Sequence, residues 1–422
     1  VDAVADPAIG LWSDRLRSRY GRRLPFMVGG LLPFAGAFGL LFSMPAGLTG
    51  MPQFIYATVC LVALRLSLSF FVLPFTAVGA EVTDDHRERA SVVAYRLTFQ
   101  SSGILIGVFL GLGVFMAGAT GMLQQANYVG YGWASAAVML VAGMIAIFAV
   151  RRALPRLHEP ARDDTPFLAG FAREMVELGR NRSFLLLFGT VLVYFLAYSV
   201  STSLALHSCR YFWKLDTFSI QLILLSGTLG PLLGAPVSAF ALRFLEKRTL
   251  AIAAYFGIAL FAVWPPLLQL YVPFQLTASQ ATWVLAINGM LGGTSIMIAG
   301  VAFQSMLADT ADEHEYLFGV RREGLFFSGL TLAFKGASGL GGLVAGLALD
   351  AIHFPADLAS RGSALTIPDG VIAKLGLIAG PFPALVIATA PLFLFGYRVT
   401  RKRHAEIIAA LEQRHAEARR AG

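Results

Sequence analysis

The run VDAVADPAIGLWSDRLRSRYGRRLPF, residues 1–26, decides the fold. It opens as an apolar stretch interrupted by Asp2 and Asp6. It closes on arginines at 15, 17, 19, 22 and 23 before a new apolar stretch starts at Leu24. An apolar run that ends in a basic cluster is the pattern of a membrane span meeting the cytoplasmic surface. The pattern returns later: GPLLGAPVSAFALRFLEKR (230–248) and DPAIGLWSDRLRSRYGRR (6–23) share an X-Pro-x-x-Gly opening and a basic end. Each copy closes the second span of its half, which predicts two parallel helical halves with binding near the midplane. The repeat is inexact. Ser226 and Gly230 stand where the first copy has Asp2 and Asp6, so the acid pair belongs to one half alone.

Composition extends this reading to the whole chain. Of 422 residues, 56% are hydrophobic and 14% charged, where a soluble domain carries about 25% charged residues; the mean hydropathy is +0.68. Apolar stretches long enough to cross a bilayer recur throughout. They are too long for barrel strands and lack period-two alternation. An all-α polytopic membrane protein follows. Eleven spans are expected, at 1–11 (partial), 24–43, 53–80, 91–117, 132–150, 183–209, 219–244, 249–272, 280–307, 324–352 and 372–397. Cys60 and Cys209 fall in spans and are expected as free thiols.

About 26 of the 33 Lys and Arg residues fall in one set of loops. The positive-inside rule makes these loops cytoplasmic, so the net charge of +8 reflects loop bias and no nucleic-acid partner is expected. The first, partial span then runs inward. A preceding helix would complete twelve, with both termini of the full protein cytoplasmic; helix I is expected to be missing from this sequence. The expected organisation is an N-terminal helical half at 1–150, a central cytoplasmic loop at 151–182, a C-terminal half at 183–398 and a charged tail at 399–422. The tail reads as a solvated helix. After the central PRLHEPARDDTP, the helical spacing of Phe167, Phe171, Met175 and Leu178 suggests a surface helix acting as a linker.

Ionisable groups inside spans are expensive and are functional candidates. Asp2 and Asp6 lie one helical turn apart on one face, where their charges repel. A hard monovalent cation, Na⁺, Li⁺ or H⁺, relieves that repulsion; the alternatives are a helix end near water or an internal salt bridge. Arg65, Ser69, Val72 and Thr76 share one stripe of their span. From it, Ser69 can offer a hydroxyl oxygen to the cation, and Arg65 either pairs with an acid or meets an anionic substrate group. Arg96 either snorkels to the water boundary in a structural ion pair or contacts substrate. Lys335 has no acidic neighbour within a turn, so its partner must lie on another helix, and the acid pair is the obvious candidate. Tyr194 and Tyr198 either face a sugar ring or pack between helices. No metal spacing of His or Cys, phosphate-binding loop or nucleophile elbow is present. No enzyme activity and no cofactor are expected, and a gradient is the remaining source of drive.

Several separate motifs carry a family resemblance: DAVADPAIGLWSDRLRSRYGRRLPF (2–26), LPFTAVGAEVTDDHRERASVVAYR (73–96), NRSFLLL (181–187) and ADTADEHEYLFGVRREGLFFSGLTLAFKGASG (308–339). In order and spacing they resemble the glycoside–pentoside–hexuronide:cation symporters of the major facilitator superfamily. The resemblance implies a twelve-helix fold of two six-helix halves working by alternating access. It implies that Asp2 and Asp6 coordinate the cation with help from Ser69, that Lys335 contacts that site, and that Arg96 lies near substrate. It places Tyr316, Arg321 and Arg322 in a gating loop. Val72 and Thr76 stand where the melibiose-type sugar site has an aspartate and a stacking tryptophan, so that site is not reproduced. Ala5 stands where Asn is common, which favours a proton over Na⁺. The resemblance thus implies symport of a saccharide or glycoside with Na⁺ or H⁺, by a monomer in a bacterial inner membrane. Lysophospholipid symporters of the wider family, which keep the helix II acid and the helix XI lysine, supply the alternative of a lysolipid or another amphiphilic anion.

Overall fold

The computed structural model describes residues 5–6, 9, 12–13, 16, 18, 20–21, 23–45, 47–81, 95–96, 99–100, 102–118, 121–153, 179–272, 275–319, 323–355 and 367–421. The chain packs as two units, Val1–Phe167 and Leu168–Gly422. Among the described residues there is no strand, and nine helices are long and apolar enough to cross a membrane. They correspond to nine of the eleven expected spans. The other two, 1–11 and 91–117, run partly outside the described residues, as does most of the 151–182 segment.

In the first unit, α1 (Leu24–Phe42) packs on α2 (Met51–Glu81) and on α4 (Gln125–Ala153). Between α2 and α4 comes α3, described over Ser102–Phe115 and widened to a π-helix over Phe109–Phe115. Pro33 lies inside α1 and Pro74 inside α2. Each removes one N–H from its helix's hydrogen-bond ladder.

The second unit holds α5 (Arg182–His207), α6 (Thr217–Ala241), α7 (Lys247–Tyr271), α8 (Ala278–Phe318) and α9 (Glu323–Ala351). Local chemistry sets their starts. Asn181 accepts a hydrogen bond from the Phe184 N–H at 2.9 Å, and Asp216 one from Ser219 at 3.1 Å. Thr277 and Gln280 form a reciprocal capping box at the start of α8. The buried core of this unit gathers Phe184, Leu187, Tyr194, Tyr255, Met306, Phe326 and Leu394.

Three features depart from the sequence reading. The span expected at 280–307 is a 41-residue helix, Ala278–Phe318, ended by Gly319 in the left-handed conformation at φ 75°. At 1.5 Å per residue it is about 60 Å long, twice a bilayer's hydrocarbon core. It runs on through the acid-rich 309–315, where Lys247 meets Asp309 and His404 meets Asp312. The span expected at 372–397 is broken into α10 (Asp369–Ala379), α11 (Pro381–Thr389) and a 3-10 segment, Ala390–Gly396. Pro381, Pro383 and Pro391 each withhold an N–H there. The Ala379 carbonyl, which would be served by the residue at 383, instead accepts from the Ser201 hydroxyl at 3.0 Å. In the same way Pro265 frees the Phe261 carbonyl, and the Asn288 amide fills it at 2.7 Å. With no water in the lipid core, such carbonyls need an internal donor.

The third departure is the tail. Helix α12 (Arg401–Ala421) is not a solvated appendage, because Ile407 and Leu411 are buried in the core of the second unit. Arg401 donates to the Leu242, Arg243 and Leu245 carbonyls beyond the end of α6. A cation at a helix C-terminus meets both the orphan carbonyls and the negative end of the macrodipole. Arg248 at the start of α7 reaches back to the Tyr397 carbonyl at 3.3 Å.

Candidate functional site

The first unit brings together two residues 63 positions apart in the sequence. Ser69 Oγ, on the one-sided stripe of α2, donates to Asp6 Oδ1 at 2.5 Å. Ser69 is buried, and Asp6 is half-buried in a helical stretch. A short hydrogen bond to a carboxylate is charge-assisted and holds the anion in place. The serine oxygen keeps lone pairs free while its proton is donated. One acid oxygen and one hydroxyl oxygen thus lie side by side, as a hard cation requires.

Asp2 lies outside the described residues, as do Arg321 and Arg322. Arg65 is exposed one turn before Ser69, and Val72, three positions beyond it, is 37% exposed. The Thr76 hydroxyl is turned onto its own helix, donating to the Leu73 carbonyl at 2.9 Å. Arg96 is exposed. A crevice of about 420 Å³ opens in this unit between α1 and α2, lined by Trp12, Phe26, Gly30, Leu66, Ser67 and Phe70 among others. Its walls are mainly apolar and aromatic, with Trp12 edge-on to Phe26 at 5.2 Å between centroids.

In the second unit, Tyr194 is 6% exposed and sits in a ladder of rings. It stacks on Tyr198 at 5.6 Å and 23°, and meets Tyr255 edge-on at 5.2 Å and 64°. The ladder fastens α5 to α7, so the Tyr194 ring serves packing, while Tyr198 is half-buried at its edge. Lys335 is half-buried on α9.

A polar cluster at the end of α8 went unread in the sequence. Lys247 Nζ grips both oxygens of Asp309, at 2.8 and 2.6 Å. His404 Nε2 from α12 lies 3.0 Å from Asp312 and 3.5 Å from Asp309. The Tyr397 hydroxyl donates to the Met306 carbonyl at 3.0 Å. Burial pushes that hydroxyl well above the usual tyrosine range; the Asp309 and Glu313 carboxylates add to the rise, and Thr310 opposes it. Tyr397 therefore stays a proton donor. Tyr316, expected in gating, has Arg414 over its ring at 4.8 Å and Arg403 at 5.8 Å. The signal for this cluster was the acid-dense ADTADEHE (308–315) at the end of an apolar run. Among the described residues, no group of three or more His, Cys, Asp or Glu is placed to hold a metal ion.

Comparison with known proteins agrees with this architecture. The family model for MFS/sugar transport proteins matches residues 1–401. The symporter YnaJ of Bacillus subtilis is 24% identical, with 98% of this chain and 84% of that protein covered. The isoprimeverose transporter of Lactiplantibacillus pentosus is 23% identical over 99% of this chain and 82% of its own length. The mouse sphingosine-1-phosphate transporter MFSD2B is 26% identical, covering 91% and 76% respectively. The chain belongs to the MFS/sugar transport protein family, among the glycoside–pentoside–hexuronide:cation symporters, and is an integral membrane transporter rather than an enzyme.

Proposed function

We propose that this transporter carries a saccharide or glycoside inward together with a monovalent cation, Na⁺ or H⁺, by alternating access. The observation that carries the reading is the Ser69 hydroxyl held against the Asp6 carboxylate within an apolar helical unit. Asp2, one turn from Asp6 in the sequence, completes the cation site, and Lys335 is the coupling residue of this reading. Cation occupancy neutralises the acid pair and raises substrate affinity, and by linkage the substrate raises cation affinity equally. Arg65, Arg96, Val72, Thr76 and Tyr198 are the substrate residues of this reading, and Tyr316, Arg321 and Arg322 its gating residues. The carrier works as a monomer in a bacterial inner membrane, with its basic loops cytoplasmic. Isoprimeverose, the substrate in the name of one relative, supports the saccharide class.

The test follows thermal stability of the full-length protein in detergent against Na⁺, Li⁺ and pH, in wild type, Asp2→Asn and Asp6→Asn. A ligand that binds only the folded state stabilises it by mass action. Stabilisation of the wild type alone by Na⁺ identifies a Na⁺ site. A pH response confined to the wild type identifies a proton site. Identical behaviour of all three proteins rejects the coupling role of the pair.

A lysolipid or other amphiphilic anion is the second reading. Val72 and Thr76 supply neither an acid nor an indole for a sugar ring, and a sphingosine-1-phosphate transporter is among the relatives. Cation-dependent uptake into proteoliposomes separates the two: a labelled pentose or hexose glycoside accumulates under the first reading, a labelled lysophospholipid under the second.

A further inference from the structure

We infer that the crevice between α1 and α2 seats an anionic phospholipid of the cytoplasmic leaflet, with an acyl chain in the crevice and the headgroup at its arginine-rich end. This concerns a resident lipid and stands apart from the cation site and the transported substrate. The crevice, of about 420 Å³, is lined by Trp12 and Leu16 before the basic run and by Pro25 and Phe26 just after it. Its α1 wall continues through Gly29 to Pro33. Pro25 to Pro33 covers about 12 Å of helix at 1.5 Å per residue. The space therefore extends from the basic end of α1 into the apolar layer, the direction in which a lipid's own polarity runs.

Three rings make the apolar part. Trp12 meets Phe26 edge-on at 5.2 Å and Phe70 at 6.0 Å, and Phe26 stacks on Phe70 at 5.7 Å and 25°. Trp12 nevertheless stays 59% exposed. An indole so placed sits at headgroup level, with an N–H to offer a lipid oxygen. Charge then selects the class of lipid. From Trp12 to Pro25 the sequence carries five arginines, at 15, 17, 19, 22 and 23, against one acid, Asp14. Lining residues bound that run on both sides. Within it the Leu16 N–H donates to the Trp12 carbonyl at 3.1 Å, and Gly21, at φ 77°, donates to the Ser18 carbonyl at 3.0 Å. The positive-inside rule puts such a run at the cytoplasmic face, where basic residues beside a span attract anionic headgroups. Two adjacent glycines divide the labour on α1. A Cβ on Gly30 would lie 2.8 Å from the Phe70 Cβ, so Gly30 lets α1 close on α2, whereas one on Gly29 would meet nothing within 4 Å. Gly29 is the position from which a side chain can fill the crevice.

The test is thermal unfolding of the full-length protein in detergent, titrated with phosphatidylglycerol or with phosphatidylcholine of the same acyl chains. A lipid that binds only the folded state raises the midpoint by mass action. Phosphatidylglycerol should do so at about tenfold lower concentration than phosphatidylcholine. Gly29→Leu should remove that preference. Gly36→Leu, at an equally open position of α1 outside the crevice, should keep it. Equal potency of the two lipids on the wild type overturns the inference, as does a Gly29→Leu protein that keeps the preference. If Gly29→Leu does not fold, Trp12→Ala decides, and an unchanged preference in that variant overturns the inference. Uptake of labelled lysophosphatidylglycerol into proteoliposomes that Gly29→Leu abolishes would make the crevice a substrate path and overturn the resident lipid.

Discussion

Ser69 and Asp6 illustrate how much one hydroxyl can do inside a membrane protein. A carboxylate in an apolar unit needs donors, and Ser69 supplies one at 2.5 Å. Ser69→Ala should destabilise the protein by about 1–3 kcal/mol, since a hydrogen bond to a charged group contributes in that range. Ser69→Thr should recover most of it, and chemical denaturation of the purified protein reads both. The polar residues of the stripe, Arg65, Ser69 and Thr76, are visible in the sequence at helical spacing. Their fates differ in the fold: Ser69 turns toward another segment, and Thr76 bonds its own helix. Spacing assigns a face but not a partner, and the partner is set by which helix lies opposite.

Helix packing adds a second kind of specificity, seen at two adjacent glycines of α9. A Cβ on Gly341 would lie 2.5 Å from the Ser199 Cβ and 2.8 Å from the Leu196 carbonyl oxygen, whereas one on Gly342 would meet nothing within 4 Å. The approach lets the Ser199 hydroxyl donate to the Ser338 carbonyl at 2.8 Å, tying α5 to α9. Gly341→Ala should therefore destabilise by about 1–3 kcal/mol through overpacking. Gly342→Ala should stabilise by up to about 1 kcal/mol, because alanine favours the helix over glycine. Thermal unfolding of the two variants side by side checks the opposite signs. In the sequence the two are indistinguishable members of GLGGLVAG (339–346), because the periodicity of α9 does not report how closely α5 approaches.

At the scale of the molecule, orientation follows from where the basic residues fall. The sequence places Arg156, Arg162 and Arg173 in the basic 151–182 segment, and the positive-inside rule assigns such a segment to the cytoplasm. With Cys60 and Cys209 replaced by serine, a cysteine introduced at 162 should react with a membrane-impermeant maleimide in inverted vesicles and be spared in intact cells. Labelling in intact cells would reverse the assigned direction of every loop.

The sequence by itself determined that this is a helical membrane transporter, where nine of its described spans run, and which family it belongs to. Those properties are written locally: a bilayer admits only long apolar segments whose backbone bonds close within themselves, and the family motifs are short runs. Only the tertiary structure decided which donor meets each carbonyl freed by proline, such as Asn288 for Phe261 and Ser201 for Ala379. It also decided that α8 continues through the acids of 309–315 to Phe318, and that the charged tail meets them through His404, 92 positions from Asp312. These depend on neighbours distant in the chain, and a buried polar group takes whichever partner the packing of whole helices brings within reach.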